Sequence, residues 1–220
     1  MRNENCESGP LCVSSRPLFG KSNIWVPAAI VLIYALTRWP NLMPLNFSLA
    51  YGLAFCAGAF PRLLKWWLVF SAFVLTDVLL NEFYYDTPLF TDYQMLIYGS
   101  FALVYLLGRQ FGSKGSIWRF VGGGILGALV FYLVTNTAAW LWNPVYAKTI
   151  SGWLQALSLG EPGWPHTWTF FRNTLISGGL FSGLITAAMR AVQVEAPETD
   201  EAEEVESAEE TEPEKESAKA

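Results

Sequence analysis

The chain has 220 residues, of which 52% are hydrophobic and 15% aromatic, and its formal net charge is −5. Twelve of the 19 acidic side chains lie in residues 195–220, so the rest of the chain carries 12 basic and 7 acidic side chains. An apolar, mildly basic body favours a membrane protein, and we expect no nucleic-acid partner. Cys6, Cys12 and Cys56 have neither the pairing of a disulfide framework nor a metal-ligand spacing, which predicts free thiols.

The two ends of the chain differ from its middle. Residues 1–22 are polar and contain proline and glycine, which predicts a disordered leader and not a cleaved signal peptide. Residues 191–220 are rich in glutamate and low in complexity, which predicts an acidic disordered tail. Residues 23–190 are expected to form one all-α domain, a polytopic bundle of about six transmembrane helices in a lipid bilayer.

Six apolar runs support this bundle. They are Ile24–Leu36, Asn46–Phe60, Trp66–Leu80, Met95–Gly108, Trp118–Trp142 and Trp168–Met189. The first run is short, and it reaches a spanning length only if the flanking Trp25 and Trp39 belong to it. The fifth run has no charge between Arg119 and Asn143, which is enough to cross a hydrocarbon core of roughly 30 Å.

Small residues recur at four-residue spacing in the second run, at Ser48, Gly52 and Cys56 and again at Ala50, Ala54 and Gly58. This spacing predicts close helix contacts on two faces. The fifth run has a similar packing half, which contains Gly122, Gly123, Gly124 and Gly127.

One further helix is predicted outside the six runs. Ile150, Trp153, Leu154 and Leu157 fall at i, i+3, i+4 and i+7, opposite Ser151, Gln155 and Ser158. We expect a short amphipathic helix in the membrane interface, which ends before Gly160 and Pro162.

The basic residues predict the orientation. With a cytoplasmic N-terminus and six crossings, nine basic residues outside the tail fall on the cytoplasmic side and three (Arg38, Lys148 and Arg172) on the other. This asymmetry follows the positive-inside rule and places both termini in the cytoplasm of a bacterial inner membrane.

In this orientation, polar residues of four helices share the outer half of the bilayer. Asn46 is expected to open the second helix, and Arg172 with Asn173 the last helix. Asp77 and Asn136 lie towards the outer ends of the third and fifth runs. The sequence therefore predicts an outward-facing polar cavity in which Asn46, Asp77, Asn136, Arg172 and Asn173 bind a solute and Trp140 stacks on it.

Each of these residues also has a structural interpretation. Asp77 would be costly in lipid without a partner, and an ion pair with Arg172 would supply one. Asn136 has neighbouring threonines and would serve equally well to join helices, and Trp140 would serve as an interface anchor. Asn46 begins a formal glycosylation sequon, N-F-S, although a membrane entrance is a poor place for it.

Catalytic and energy-coupling signatures are missing from the sequence. The glycines at 122–124 and 127 lack the Lys-Ser/Thr of a phosphate loop, and no G-x-S-x-G or H-E-x-x-H occurs. His166 has no carboxylate or thiol partner nearby in sequence, which disfavours a metal or catalytic role. We therefore expect neither an enzyme nor a cofactor, and any active transport would need an energising partner or an ion gradient.

Several blocks resemble a known family. They are TRWPNLMPLNFSLAYGLAFCAGAF (37–60), VLTDVLL (74–80), YGSFALVYLLGR (98–109), FYLVTNTAAWLW (131–142), YAKTISGWL (146–154) and FFRNTLISGGLFSGL (170–184). In this order, over residues 24–190, they resemble an uncharacterised bacterial family of six-helix proteins described as transport proteins. The layout is similar to that of the substrate-binding S components of energy-coupling-factor transporters. At two positions where the family has a histidine and an acidic residue, this chain has Asn41 and Gly179.

The resemblance implies capture of a small solute together with an energy-coupling membrane partner and ATPases. The alternative is a structural or assembly membrane protein whose polar residues only join helices.

Overall fold

The computed structural model describes residues 25–88 and 91–209, with side chains described as far as Val192. Within these residues the fold is all-helical, with seven α-helices and no strand. The helices are α1 (Trp25–Thr37), α2 (Ala50–Ala59), α3 (Trp66–Leu80), α4 (Asp92–Phe111), α5 (Ile117–Trp142), α6 (Ile150–Ser158) and α7 (Thr167–Glu209). A π-helical turn, Asn81–Tyr85, continues α3.

Three helices begin at side-chain caps. Thr91, Ser116 and Thr149 each accept a hydrogen bond from the backbone N–H three residues later, at the starts of α4, α5 and α6. These bonds satisfy donors that a helix start leaves without a partner. Glycines at positive φ follow two of the helices, Gly112 after α4 (φ 60°) and Gly160 after α6 (φ 79°).

The short helix α2 is the core of the bundle, since all ten of its residues are buried. A Cβ on Gly52 would lie within 2.8 Å of Phe181 in α7, and a Cβ on Gly58 would collide with the Tyr105 carbonyl oxygen in α4. The prediction that small residues allow close contacts on two faces of this helix is therefore confirmed at these two glycines.

The glycine half of α5 packs in the same way. Gly123 faces the Phe55 ring of α2, and Gly124 faces Gly178 and Ser182 of α7. Gly122 is the exception, because a Cβ there would have no atom within 4 Å. The prediction of a packing face is confirmed for part of this cluster.

Fewer of the described helices have the length and composition to cross a membrane than the sequence predicts. Within the described residues, three helical stretches are long and apolar enough to cross a membrane: Trp66–Tyr85, Ile117–Trp142 and Thr167–Val192. Helices α1 and α2 have 13 and 10 residues, about 20 and 15 Å at 1.5 Å per residue, which is shorter than a bilayer core. Helix α4 has 20 residues but is polar at both ends. Six crossings are therefore not confirmed.

The predicted helix beyond α5 is present as α6. Gly152 and Ala156 are its buried residues, and Tyr132 of α5 donates a hydrogen bond from its hydroxyl to the Leu157 carbonyl at 2.6 Å. Ile150 and Leu154 are 78% and 53% exposed, so much of the apolar stripe faces away from the protein. An outward apolar stripe is what an interfacial helix requires.

The predicted termini remain predictions. The leader 1–22 lies outside the described residues. The helical backbone of α7 continues to Glu209, into the acidic segment 191–220 for which the sequence predicts disorder.

Candidate functional site

One end of the bundle encloses a cavity of about 610 Å³. This end contains the ends of α1, α3 and α5, the starts of α2, α4 and α7, and the π-helical turn after α3. The loops 38–49, 143–149 and 159–166 complete it. We call it the open half, and we call the opposite end of the same helices the closed half. A cavity of this size is within the range of small-molecule sites.

Aromatic rings form the floor of the cavity. Tyr51 of α2, Phe101 of α4 and Phe131 of α5 lie with ring centroids 4.6–6.0 Å apart. All three residues are less than 10% exposed, so the rings pack as a fixed apolar surface below the open space.

Two of the predicted solute-binding residues, Asn46 and Asn136, line the cavity. Asn46 does not open a helix, since α2 starts at Ala50, and it lies in the preceding loop with a left-handed φ of 57°. Asparagine adopts this region more readily than most residues. The Asn136 side-chain amide donates to the Tyr132 carbonyl of its own helix at 2.9 Å, so it does not join helices through this bond.

Asp77 forms a polar network beside the cavity. Its carboxylate pairs with the Arg38 guanidinium and accepts hydrogen bonds from Gln94 Nε2 at 2.7 Å and from the Tyr98 hydroxyl at 3.1 Å. The Asp77 side chain is 13% exposed and that of Arg38 35%. The network joins the loop after α1 to α3 and α4, and its arginine reaches the cavity wall.

The expected partner Arg172 is exposed and does not pair with Asp77. Arg38, Gln94 and Tyr98 are not predicted from the sequence as neighbours of Asp77. Arg38 was the available signal, because it is another of the three basic residues predicted at this end.

Asn173 and Trp140 make structural contacts and, like Arg172, are not among the residues that line the cavity. The buried Asn173 donates from Nδ2 to the Leu45 carbonyl at 2.8 Å, which ties α7 to the loop before α2. Trp140 donates from Nε1 to the Ala147 carbonyl at 2.8 Å, which holds the turn after α5.

Glu161 lines the cavity and is not among the site residues that the sequence predicts. Its carboxylate accepts a hydrogen bond from Asn143 Nδ2 at 3.2 Å. Burial raises the pKa of the neighbouring Tyr146 phenol, and the charge of Glu161 raises it further. The phenol therefore stays protonated at neutral pH and lines the cavity as a neutral hydrogen-bonding group.

His166 lies near this loop, where its ring Nδ1 is 3.2 Å from the Leu159 carbonyl oxygen. Among the residues with described side chains, no group of three or more His, Cys, Asp or Glu side chains has the arrangement of a metal site.

Over the described residues, fold and cavity together define a class: an all-helical protein with three helices long and apolar enough to cross a membrane and a pocket at one end of the bundle. The chain belongs to a family of unknown function, DUF6580, whose match covers residues 20–199. Nothing matches the chain among curated proteins or among solved structures. The family match gives no support for a likeness to transporters or to S components of energy-coupling-factor systems, which stays a prediction.

Proposed function

We propose that the protein is an integral membrane protein that binds a small solute in the cavity of the open half. The observation that carries this proposal is the cavity itself, about 610 Å³ in volume, which is lined by residues of six described helices and of the loops at their ends. An apolar floor with a few polar groups around it is typical of a ligand site.

The positions of the tryptophans support the membrane setting. Exposed tryptophans occur at the closed-half ends of α1, α3 and α5 and at the open-half ends of α1, α5 and α7. At the closed-half ends these are Trp25, Trp66, Trp67 and Trp118, and at the open-half ends they are Trp39, Trp142 and Trp168. Two levels of exposed tryptophan are expected where a bundle meets the two interfaces of a bilayer.

The basic residues support an outward-facing cavity. Arg62, Lys65, Arg109 and Arg119 cluster at the closed half, whereas Arg38, Lys148 and Arg172 lie at the open half. By the positive-inside rule the closed half faces the cytoplasm of a bacterial inner membrane. Solute enters from the other side, and uptake against a gradient needs either an energy-coupling membrane partner with ATPases, which the S-component resemblance implies, or an ion gradient.

The second candidate is a structural or assembly membrane protein. It is favoured by the contacts of Asp77, Asn173 and Trp140, whose polar atoms bind other parts of the same chain. In that case the polar residues of the open half serve only to hold loops and helices together.

Thermal unfolding of the purified protein, followed by the fluorescence of its 10 tryptophans, separates the two candidates. We expect at least one compound in a library of polar metabolites to raise Tm by binding the native state. The variant Asn136→Phe fills the cavity and should abolish this rise without lowering the ligand-free Tm. The control Leu133→Phe changes an outward-facing residue of α5 and should keep the rise. A library without any stabilising compound, together with a lowered Tm of Asn136→Phe, would favour the structural candidate.

A further inference from the structure

The cavity is rich in aromatic side chains on every side. Besides the floor of Tyr51, Phe101 and Phe131, rings approach from the loops and from the first turns of α4 and α7. Ten of the described lining residues are aromatic, among them Trp39, Tyr146 and Trp164. Trp39 and Trp164 are 71% and 70% exposed, so these two indoles form part of the rim and are free to contact a ligand.

Among the described residues, the lining contains two formally charged side chains, Arg38 and Glu161. The charge of Arg38 is compensated by Asp77, which also accepts hydrogen bonds from Gln94 and Tyr98. Arg38 Nε is buried and has no hydrogen-bond partner in the described part of the chain, so this atom is also out of reach of the cavity. Glu161 is bound by a neutral amide of Asn143, and no described basic side chain forms a salt bridge with it.

Of the two charged side chains in the described lining, Glu161 is therefore the one without a salt-bridge partner, and its carboxylate lies near aromatic rings. Trp164 belongs to the same turn as Glu161, since its backbone N–H donates to the Glu161 carbonyl at 3.2 Å. Tyr146 lines the same cavity, and its backbone N–H donates at 3.4 Å to the carbonyl of Asn143, the residue whose side-chain amide binds Glu161. Aromatic faces attract cations, most strongly those of tryptophan and tyrosine, and a nearby carboxylate adds a Coulomb attraction. An anion would meet Glu161 and would have to compete with Asp77 for Arg38.

We propose that the cavity selects an organic cation, a substituted ammonium whose charge lies by Glu161, Trp164 and Tyr146. The apolar part of the ligand packs on the floor formed by Tyr51, Phe101 and Phe131. This inference rests on the proposed function, because it names the solute class of the same cavity.

Three probes of similar size and different charge test the selection on the full-length protein in lipid nanodiscs. They are the cation benzyltrimethylammonium, the neutral alcohol 2-methyl-1-phenylpropan-2-ol and the anion 3-phenylpropanoate, with binding measured by titration calorimetry. The cation should bind about tenfold or more tightly than the other two, since both cation–π and charge terms favour it.

Single substitutions, each with a matched control, show which side chains cause the preference for the cation. Glu161→Gln should weaken binding of the cation by about tenfold and leave the neutral alcohol unchanged, whereas Glu82→Gln, an exposed glutamate outside the cavity, should change neither. Trp164→Leu should weaken the cation by about threefold or more, and Trp168→Leu, an exposed tryptophan that does not line the cavity, should not.

The outcomes separate this inference from the proposed function. Tighter binding of the alcohol or the anion, or equal losses in Glu161→Gln and Glu82→Gln, would overturn the cation selection while the cavity remained a binding site. Failure of all three probes would also overturn the cation selection. The proposed function would then fail only if the metabolite library contained no stabilising compound either.

Discussion

The closed and open halves of the bundle are built from the same helices but by different means. In the closed half, glycines of α2, α4 and α5 bring backbones so close that a Cβ at Gly58, Gly108 or Gly124 would collide with a neighbouring helix. In the open half, large aromatic rings and hydrogen-bonded polar side chains separate the helix ends around the cavity. Small residues therefore let the helices pack closely in one half, and large side chains keep the helix ends apart in the other.

The short helix α2 makes this change of spacing possible. It begins only at Ala50, so the loop 38–49, and not a helix, covers the open half in front of it. Loop positions such as Asn41 and Asn46 adopt left-handed backbone conformations, with φ of 63° and 57°. The open half is therefore held by turns and side-chain bonds, whereas the closed half is held by direct helix contact.

The largest effect is expected from a glycine of the closed half. Gly58→Ala places a Cβ against the Tyr105 carbonyl oxygen, and because both partners are helix backbone, the contact cannot be relieved by a rotamer change. We expect a loss of about 3 kcal/mol or more in the free energy of unfolding, visible as a lower Tm and a smaller yield of monodisperse protein. The control is Gly122→Ala, which has open space and should raise stability by up to about 1 kcal/mol through helix propensity. Equal behaviour of the two variants would refute the close packing of the closed half.

An intermediate effect is expected from the ion pair of the open half. Asp77→Asn leaves the partly buried Arg38 without its counter-charge, and we expect a loss of about 1–3 kcal/mol, less than for a fully buried pair because Arg38 is 35% exposed. Combining this change with Arg38→Gln in a double-mutant cycle should show that the two losses are not additive. Strict additivity would mean that the two side chains act independently and that the network does not hold the open half.

A smaller effect is expected at Tyr132, which joins α5 to α6 in the open half. Tyr132→Phe removes the hydrogen bond from the phenol to the Leu157 carbonyl oxygen, 2.6 Å away, and should cost about 1 kcal/mol in thermal unfolding. Tyr105→Phe, in the closed half, is the comparison, because the Tyr105 ring packs against Phe70 and its hydroxyl donates no hydrogen bond within the described residues. A larger loss for Tyr105→Phe would show that hydrogen bonding does not distinguish the two halves.

Much of the fold could be predicted from the sequence because it depends on the spacing of small and apolar residues along the chain. The positions of Gly52 and Gly58 predict two contact faces of α2, and the periodicity from Ile150 predicts α6. The number of helices long enough to cross a membrane could not be predicted from the sequence, because the length of each helix depends on the helices that pack against it. The buried helix α2, for example, has only 10 residues.

The partners of the polar residues could not be predicted in the same way. A residue's depth in the bilayer does not show which face of its helix it lies on. Arg172 and Asn173 are neighbours in sequence, but a helix turns by about 100° per residue, so Asn173 is buried while Arg172 is exposed. Asp77 consequently pairs with Arg38 of a loop. Glu161 was not predicted as a site residue because it lies in a connecting segment, where hydropathy patterns do not indicate which side chains come together.

Labelling by water-soluble reagents tests whether a solute can reach the cavity of the open half from outside the cell. In a background without Cys6, Cys12 and Cys56, the variants Asn136→Cys and Ala128→Cys place one thiol in the cavity and one, two turns earlier on α5, in the packed core. Each would be treated with a membrane-impermeant maleimide in right-side-out and in inverted membrane vesicles. We expect Asn136→Cys to be labelled in right-side-out vesicles and Ala128→Cys to be labelled in neither kind of vesicle. Absence of labelling of Asn136→Cys from both sides would contradict a solute-accessible cavity.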